Sequence, residues 1–372
     1  MGTKGLPLRQ PNPDELEVSV FGPGVGECIV VHLGNGEWMI VDSCVDKVTG
    51  NPAALDYLNG LGVGISRQVV LVVVTHWHDD HIRGAARIFG AANRAKFVCS
   101  GALKEEEFFR FVAGSKEQTP GGSYESEFSS ILDLIENRAA PGTRPASIGP
   151  EWAFANQCLY RGSLANVHSL SPSAGTLTLS FKQRTNMLWD PPTKGMPKRR
   201  PIALGPNQTS LVLWVEFQHC NVLLGGDLEN SLSPNMGWNA IILSSARPPG
   251  QAHIYKVAHH ASPNADDPSI WTELLDENPL AIVTPYLSGQ RPLPQKEDKK
   301  RIQGFTNLAY CTGSRTGWQT KRRNVIVERT ARLRHRKLRA IEGPMGQICA
   351  RIPLGSPLSS LRVRTFRGAQ NL

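Results

Sequence analysis

The stretch VVLVVVTHWHDDH, residues 69–81, decides the reading of this chain. Six apolar residues, five of them valine, run without alternation, the pattern of a strand buried on both faces. Three histidines and two aspartates then fall within residues 76–81. In extended chain, residues two apart point the same way, so His76 and His78 share a side. A turn carrying Asp80 and His81 brings two more groups to the same place. Imidazole nitrogen and carboxylate oxygen suit zinc, manganese or iron. Clustered carboxylates repel and desolvated imidazoles need partners, so such a group is costly without a cation. The alternative is a hydrogen-bonded polar turn. Asp79 is expected to face solvent or to contact the ligands from behind.

Outward from this stretch, the pattern alternates between strand and helix. ELEVSVFGPG and ECIVVHLGNGEWMIVDSC read as short strands, with GNGE a hairpin signal. NPAALDYLNGLG reads as a helix, and HIRGAARIFGAA has helical spacing before KFVCS returns as a strand. The histidine cluster therefore sits at a strand-to-helix junction, at the carboxyl end of a buried strand, where open α/β sheets commonly place their sites. Helices are expected at ALKEEEFFRFVAGSKE, SYESEFSSILDLIENR, PSIWTELLDEN and QKEDKKRIQGF. TSLVLWVEF and NVLLGGD read as an antiparallel pair, and NVHSLSP, HIYKVAHH, AIVTPY and QICARIPL as further strand regions. No fixed-period repeat is present.

The 372 residues are 40% hydrophobic and carry a formal charge of +9. A basic chain favours an acidic partner: nucleic acid, another phosphorylated substrate or an anionic surface. Basic residues concentrate in PKRRP and in residues 321–339. Seven cysteines form no C-x-x-C pair and read as free thiols of a reducing compartment. No run approaches the about 18 to 20 apolar residues that cross a bilayer. The expectation is a soluble, cytoplasmic protein. Residues 1–16 read as a lead-in and 17–320 as one domain with a basic, Pro-rich insertion at about 187–206. Residues 321–372 read as a basic extension packed on that domain.

THWHDDH resembles the H-x-H-x-D-H signature of the metallo-β-lactamase superfamily. WMIVDSC resembles that family's strand ending in Asp-x-Gly, with Asp42 at the Asp position and Cys44 in place of Gly. NVLLGGDLE resembles the strand ending in Gly-Asp, with Asp227 at the metal-bridging position. IYKVAHHAS resembles the late histidine motif, with His259, His260 and Ser262 matching and Ala261 in place of Gly. The order NQTSLVLWVEF, LLGGD, KVAHH looks like the nuclease domain of the competence proteins ComEC/Rec2, without their membrane segments.

The resemblance implies an αββα four-layer sandwich with two divalent cations, Zn²⁺ or Mn²⁺, at one edge between the sheets. His76 and His78 would hold the first cation. Asp80, His81 and either His259 or His260 would hold the second, Asp227 would bridge them, and a bridging hydroxide would attack. Asp42 would orient ligands. His168, the one histidine between residues 81 and 219, is the candidate for a further ligand or else an ordinary strand histidine. Asn207 and Ser210 are candidate phosphate contacts or supports behind the metal ligands, or else a strand-edge turn; Lys256 is a candidate substrate contact or a surface lysine, and Ser262 a candidate substrate contact, while His32, His219, His253 and His335 carry no functional expectation. A nuclease or phosphodiesterase acting on DNA or RNA follows as the expected activity. A hydrolase of small esters, lactams or phosphorylated metabolites, and a metal-bound effector working through a partner protein from the same operon, are the alternatives.

Overall fold

A computed structural model describes residues 9–24, 26–103, 123–138, 150–189, 205–287, 291–313, 319–320, 341–342 and 345–372. Among these, two eight-stranded sheets stack face to face. The first is built from β1 (Glu15–Gly24), β2 (Gly26–His32), β3 (Trp38–Val41), β4 (Val69–Val74), β5 (Lys96–Ser100) and β6 (Glu151–Ala153), in that spatial order. The second is built from β7 (Gln157–Arg161), β8 (Asn166–Ser169), β9 (Leu213–Phe217), β10 (Cys220–Leu224), β11 (Ala252–Lys256), β12 (Leu275–Val283) and β13 (Ala309–Cys311). β14 (Gln319–Thr320) and β15 (Ile341–Glu342) form a separate small ribbon. β16 (Gly346–Pro353) then pairs antiparallel with β1, β17 (Arg362–Phe366) pairs with β16, and β18 (Gln370–Asn371) pairs with β13. The final segment thus extends both sheets.

Strand parity sorts the apolar side chains into layers. Ile29 and Val31 of β2, Met39 and Val41 of β3, Leu71 and Val73 of β4, and Val215, Val222 and Ile254 of the second sheet fill the space between the sheets. Val30, Ile40, Val72 and Val74 face the other way, onto α1 (Ala53–Gly60), α2 (Ile65–Gln68), α4 (Ala85–Ala91) and the helix Ser123–Arg138. Trp214, Leu223 and Tyr255 form the outer face of the second sheet, under Trp238, Ile241 and Ile302 from two short helices. Helix, sheet, sheet and helix make the four layers expected. β4 is buried on both faces, which is why its sequence does not alternate.

Two expected helices differ. HIRGAARIFGAA breaks into α3 (Asp79–Ile82) and α4, because Gly84 takes φ 90°. The backbone N–H groups of Gly84 and Ala86 donate to the Glu127 carboxylate, so a remote side chain starts α4. PSIWTELLDEN gives one wide turn at Ile270–Leu274, and its last residues join β12, where Leu275 pairs with Ala252. Sheet pairing there overrides helix propensity. The expected helix from residue 104 onward, insertion residues 190–204 and the basic run 321–339 lie outside the described residues. All seven cysteines are free. No described helix is long and apolar enough to cross a membrane.

Candidate metal centre

The loops after parallel strands β3 and β4 of one sheet, and β10, β11 and β12 of the other, meet at one edge of the sandwich. They carry Asp42, His76 to His81, Asp227, His259, His260 and Thr284. Asp42 leaves β3 at φ 57° and is buried. Its Oδ1 accepts from the Thr75 N–H at 2.7 Å, and its Oδ2 from the Thr75 hydroxyl and His81 Nδ1, both at 2.8 Å. Burial lifts the Asp42 pKa against the pull of His81. A carboxylate only accepts, so His81 carries its proton on Nδ1 and turns Nε2 toward the cleft.

His76 is oriented in the same manner. Its Nδ1 lies 3.1 Å from the Thr75 hydroxyl oxygen, which is itself donating to Asp42. Its Nε2 faces His78 Nδ1 at 3.0 Å and Asp227 Oδ2 at 3.8 Å. Burial holds the His76 pKa well down and that of His78 down as well, keeping both rings neutral with lone pairs to offer. Asp227 Oδ2 also lies 3.4 Å from His81 Nε2 and 3.8 Å from His260 Nε2. Asp80 Oδ2 lies 3.9 Å from His81 Nε2 and 3.6 Å from His260 Nε2. Burial alone would lower the His81 pKa, but Asp227, Asp42 and Asp80 together raise it well above the ordinary value. The converse holds for Asp80 and Asp227, where nearby histidines overcome burial and hold both carboxyls down.

The two late histidines part company. His260 donates from Nδ1 to the Thr284 carbonyl at 2.9 Å, leaving Nε2 on the cluster. His259 instead lies beside Asn207 Nδ2 at 3.2 Å and Glu229 Oε1 at 3.7 Å, on the cleft wall. Both, with Ala261, sit at positive φ, a strained run of three non-glycine residues.

Among the described residues, buried Nε2 of His81, Nε2 of His260 and Oδ1 of Asp227 have no hydrogen-bond partner. Each buried orphan costs about 1–3 kcal/mol. His76, His78 and Asp227 form one convergent set, and Asp80, His81 and His260 another, the ligand atoms of each lying within 4.8 Å of one another. These nitrogen and carboxylate donors fit divalent cations.

Residues 21–151 match the metallo-beta-lactamase superfamily. The matched segment holds Asp42 and the H-x-H-x-D-H loop; Asp227 and His260 lie beyond it. Superfamily members are mostly metal-dependent hydrolases that typically bind two divalent metals. Similar solved structures include the metallo-beta-lactamase fold protein YhfI from Bacillus subtilis, 12% identical over 65% of this chain and 70% of that one, TM-score 0.33. A HARLDQ-motif mutant of a metallo-beta-lactamase from Cronobacter sakazakii is 13% identical over 66% and 77%, TM-score 0.35. CmlA, a diiron beta-hydroxylase from Streptomyces venezuelae, is 15% identical over 67% of this chain and 35% of its own length, TM-score 0.34. Comparison with curated proteins gives no match.

The remaining candidate residues take the following places. His168 pairs across the sheet with Trp214, which packs on the outer face, so strand parity turns His168 away from the cluster and its Nε2 meets Glu216 at 3.1 Å. Lys256 shares the inward parity of Ile254; it is wholly buried, with Nζ 2.7 Å from Glu27 Oε2, and does not face substrate. Ser210 is also buried: its hydroxyl accepts from the Asp227 N–H at 3.0 Å and lies 3.4 Å from His76 Nδ1, so it holds ligands. Ser262 is off the cleft wall, its carbonyl accepting from the Ala265 N–H. Asn207 lines the cleft, and Asp79 meets Arg83 at 3.0 Å. Sequence reading missed Thr75, Thr284 and Glu27. Only Glu27 left a signal, an acidic residue at an inward position of an apolar strand.

Proposed function

We propose that the chain is a metal-dependent hydrolase that cleaves phosphodiesters of DNA or RNA. The observation that carries this reading is a cleft of about 660 Å³ over both donor sets, with Trp77, Asn207, His259 and Arg291 on its walls. A guanidinium matches phosphate through paired hydrogen bonds, and an indole face accepts a stacked base. The charge of +9 and the ComEC/Rec2-like motif order support the same substrate class.

His76, His78 and Asp227 would hold one divalent cation, and Asp80, His81, His260 and Asp227 the other, with zinc or manganese the expected ions. Cations bound there polarise the phosphoryl group and lower the pKa of a water. Asp42 and Thr75 keep the His76 and His81 rings turned toward the cleft. Ser210 fixes the Asp227 backbone. Arg291 and Asn207 orient the phosphate, and His259 is placed to pass a proton to the leaving oxygen. A cytoplasmic location, with nucleic acid as the partner, belongs to this proposal.

The test is incubation with plasmid, single-stranded DNA and RNA in Mn²⁺ or Zn²⁺. Cleavage is expected, and His78→Ala should lower it by more than the roughly 10- to 100-fold cost of losing a mere outer partner of a metal ligand. No cleavage of any of the three, or equal cleavage by the variant, refutes the reading. One observation favours a second reading. The cleft volume lies within the about 300–1,000 Å³ of small-molecule sites, which suits a small ester, lactam or phosphorylated metabolite. Turnover of a chromogenic ester that competitor DNA leaves unchanged would select it.

A further inference from the structure

Glu27 has no part in the donor sets above, yet its side chain is placed against them. It is 1% exposed and lies at the start of β2, on the inward face with Ile29 and Val31. Its Oε2 is held from the opposite sheet: Lys256 Nζ lies 2.7 Å away and the Thr284 hydroxyl donates to it. The same oxygen is 3.7 Å from His260 Nδ1. Its Oε1, by contrast, is buried with no hydrogen-bond partner among the described residues. One oxygen of Glu27, a ring nitrogen of His81 and an oxygen of Asp227 lie within 4.8 Å of one another. Since Nδ1 of His81 is committed to Asp42, the nitrogen free for a cation is Nε2. A buried carboxylate with one oxygen clamped and the other bare lacks a positive partner on its bare side.

We propose that Glu27 is a ligand of the second cation, its Oε1 joining Asp80, His81, His260 and Asp227 while Lys256 and Thr284 fix Oε2. This rests on the two-cation reading given under the proposed function. The second position then has three carboxylates and two imidazoles. The first has two imidazoles and the shared Asp227. Carboxylate oxygens favour manganese or magnesium, whereas imidazole nitrogen suits zinc. The two positions therefore differ in preference, the harder ion sitting beside Glu27.

The experiment titrates metal-stripped protein separately with Mn²⁺ and Zn²⁺ and counts bound ions after dialysis. The unaltered chain should show two unequal classes of site, with Mn²⁺ relatively favoured at one. Glu27→Gln should weaken Mn²⁺ at that site by at least about tenfold and leave Zn²⁺ at the other site unchanged. A purely structural role would lower the unfolding temperature of the stripped protein with the Mn²⁺/Zn²⁺ affinity ratio unmoved, and that result overturns the proposal. Glu27→Gln leaves Lys256 without a counter-charge, so the double variant Glu27→Gln, Lys256→Met repeats the titration with a neutral pair. Two sites of identical ion preference in the unaltered chain also overturn it, with no variant needed. Failure of the unaltered chain to bind any cation refutes the two-cation reading itself. Two cations bound equally by the unaltered chain and Glu27→Gln refute only the role of Glu27.

Discussion

Asp42 shows how one residue can govern a site that it does not enter. Both its oxygens are engaged by Thr75 and His81, so it acts by fixing the ring that faces the cleft. Asp42→Asn would present an amide N–H toward one of those donors. The expected result is a loss of about 10- to 100-fold in cation affinity, read by competition with a chromophoric chelator. Unchanged affinity would show that His81 needs no such restraint. Gly26 acts through space instead. It holds φ 101°, and a Cβ there would lie 1.5 Å from the Asp80 carbonyl oxygen. Gly26→Ala must push the β1–β2 turn off the Asp80 loop, so both bound cation and the unfolding temperature should fall together. At this scale, legibility followed distance along the chain. His76, His78, Asp80 and His81 declare themselves by adjacency. Glu27 and Lys256, 229 residues apart, are linked only by facing each other across the sandwich.

At the scale of elements, the β2–β3 hairpin has a pH sensitivity of its own. His32 donates from Nδ1 to the Glu15 carbonyl at 2.6 Å, and its Nε2 accepts from the Gly36 N–H at 3.0 Å. Both nitrogens are satisfied only in the neutral ring, and burial lowers the pKa. The unfolded chain therefore takes up a proton that the folded chain resists. The stability contributed is fully present above the unfolded value of about 6.5 and is lost as pH falls through the lower folded value. Unfolding temperatures measured from pH 7.5 to 5.5 should decline, and His32→Gln should flatten that decline; an equal slope in the variant would remove His32 as its source. Elements were legible where one residue pattern sufficed. The run Val69–Val74 reads as a strand buried on both faces, and it is one. The misread elements depend on remote partners: Glu127 caps α4, and Ala252 draws Leu275 into a sheet. The two readings of His168 stayed open for a related reason, since the face that it takes is set by its register with Trp214.

At the scale of the whole molecule, the first sheet is closed by chain from its far end. Glu17 of β1 is wholly buried, and Arg351 of β16 donates to its Oε2 from Nε at 2.7 Å, while its Nη2, 2.7 Å from the same oxygen, donates to the Arg9 carbonyl. Removing one partner of a buried pair typically costs about 3–5 kcal/mol. Arg351→Met should lose stability on that order in denaturant unfolding, whereas a loss under about 1 kcal/mol would place the pair among weak surface bridges.

That same pairing sets an order of events during synthesis. Glu17 and Arg351 are 334 residues apart. At about 5–20 residues per second, roughly 17 to 67 s separate the appearance of one from the other. Through that interval β1 has its β2 neighbour but lacks β16, and Glu17 has no guanidinium to meet. Glu27, on the hairpin that β1 begins, likewise waits for Lys256. The histidine loop is therefore made early, but its surroundings are completed only once the late strands arrive, which leaves an open strand edge on the nascent chain until β16 is made.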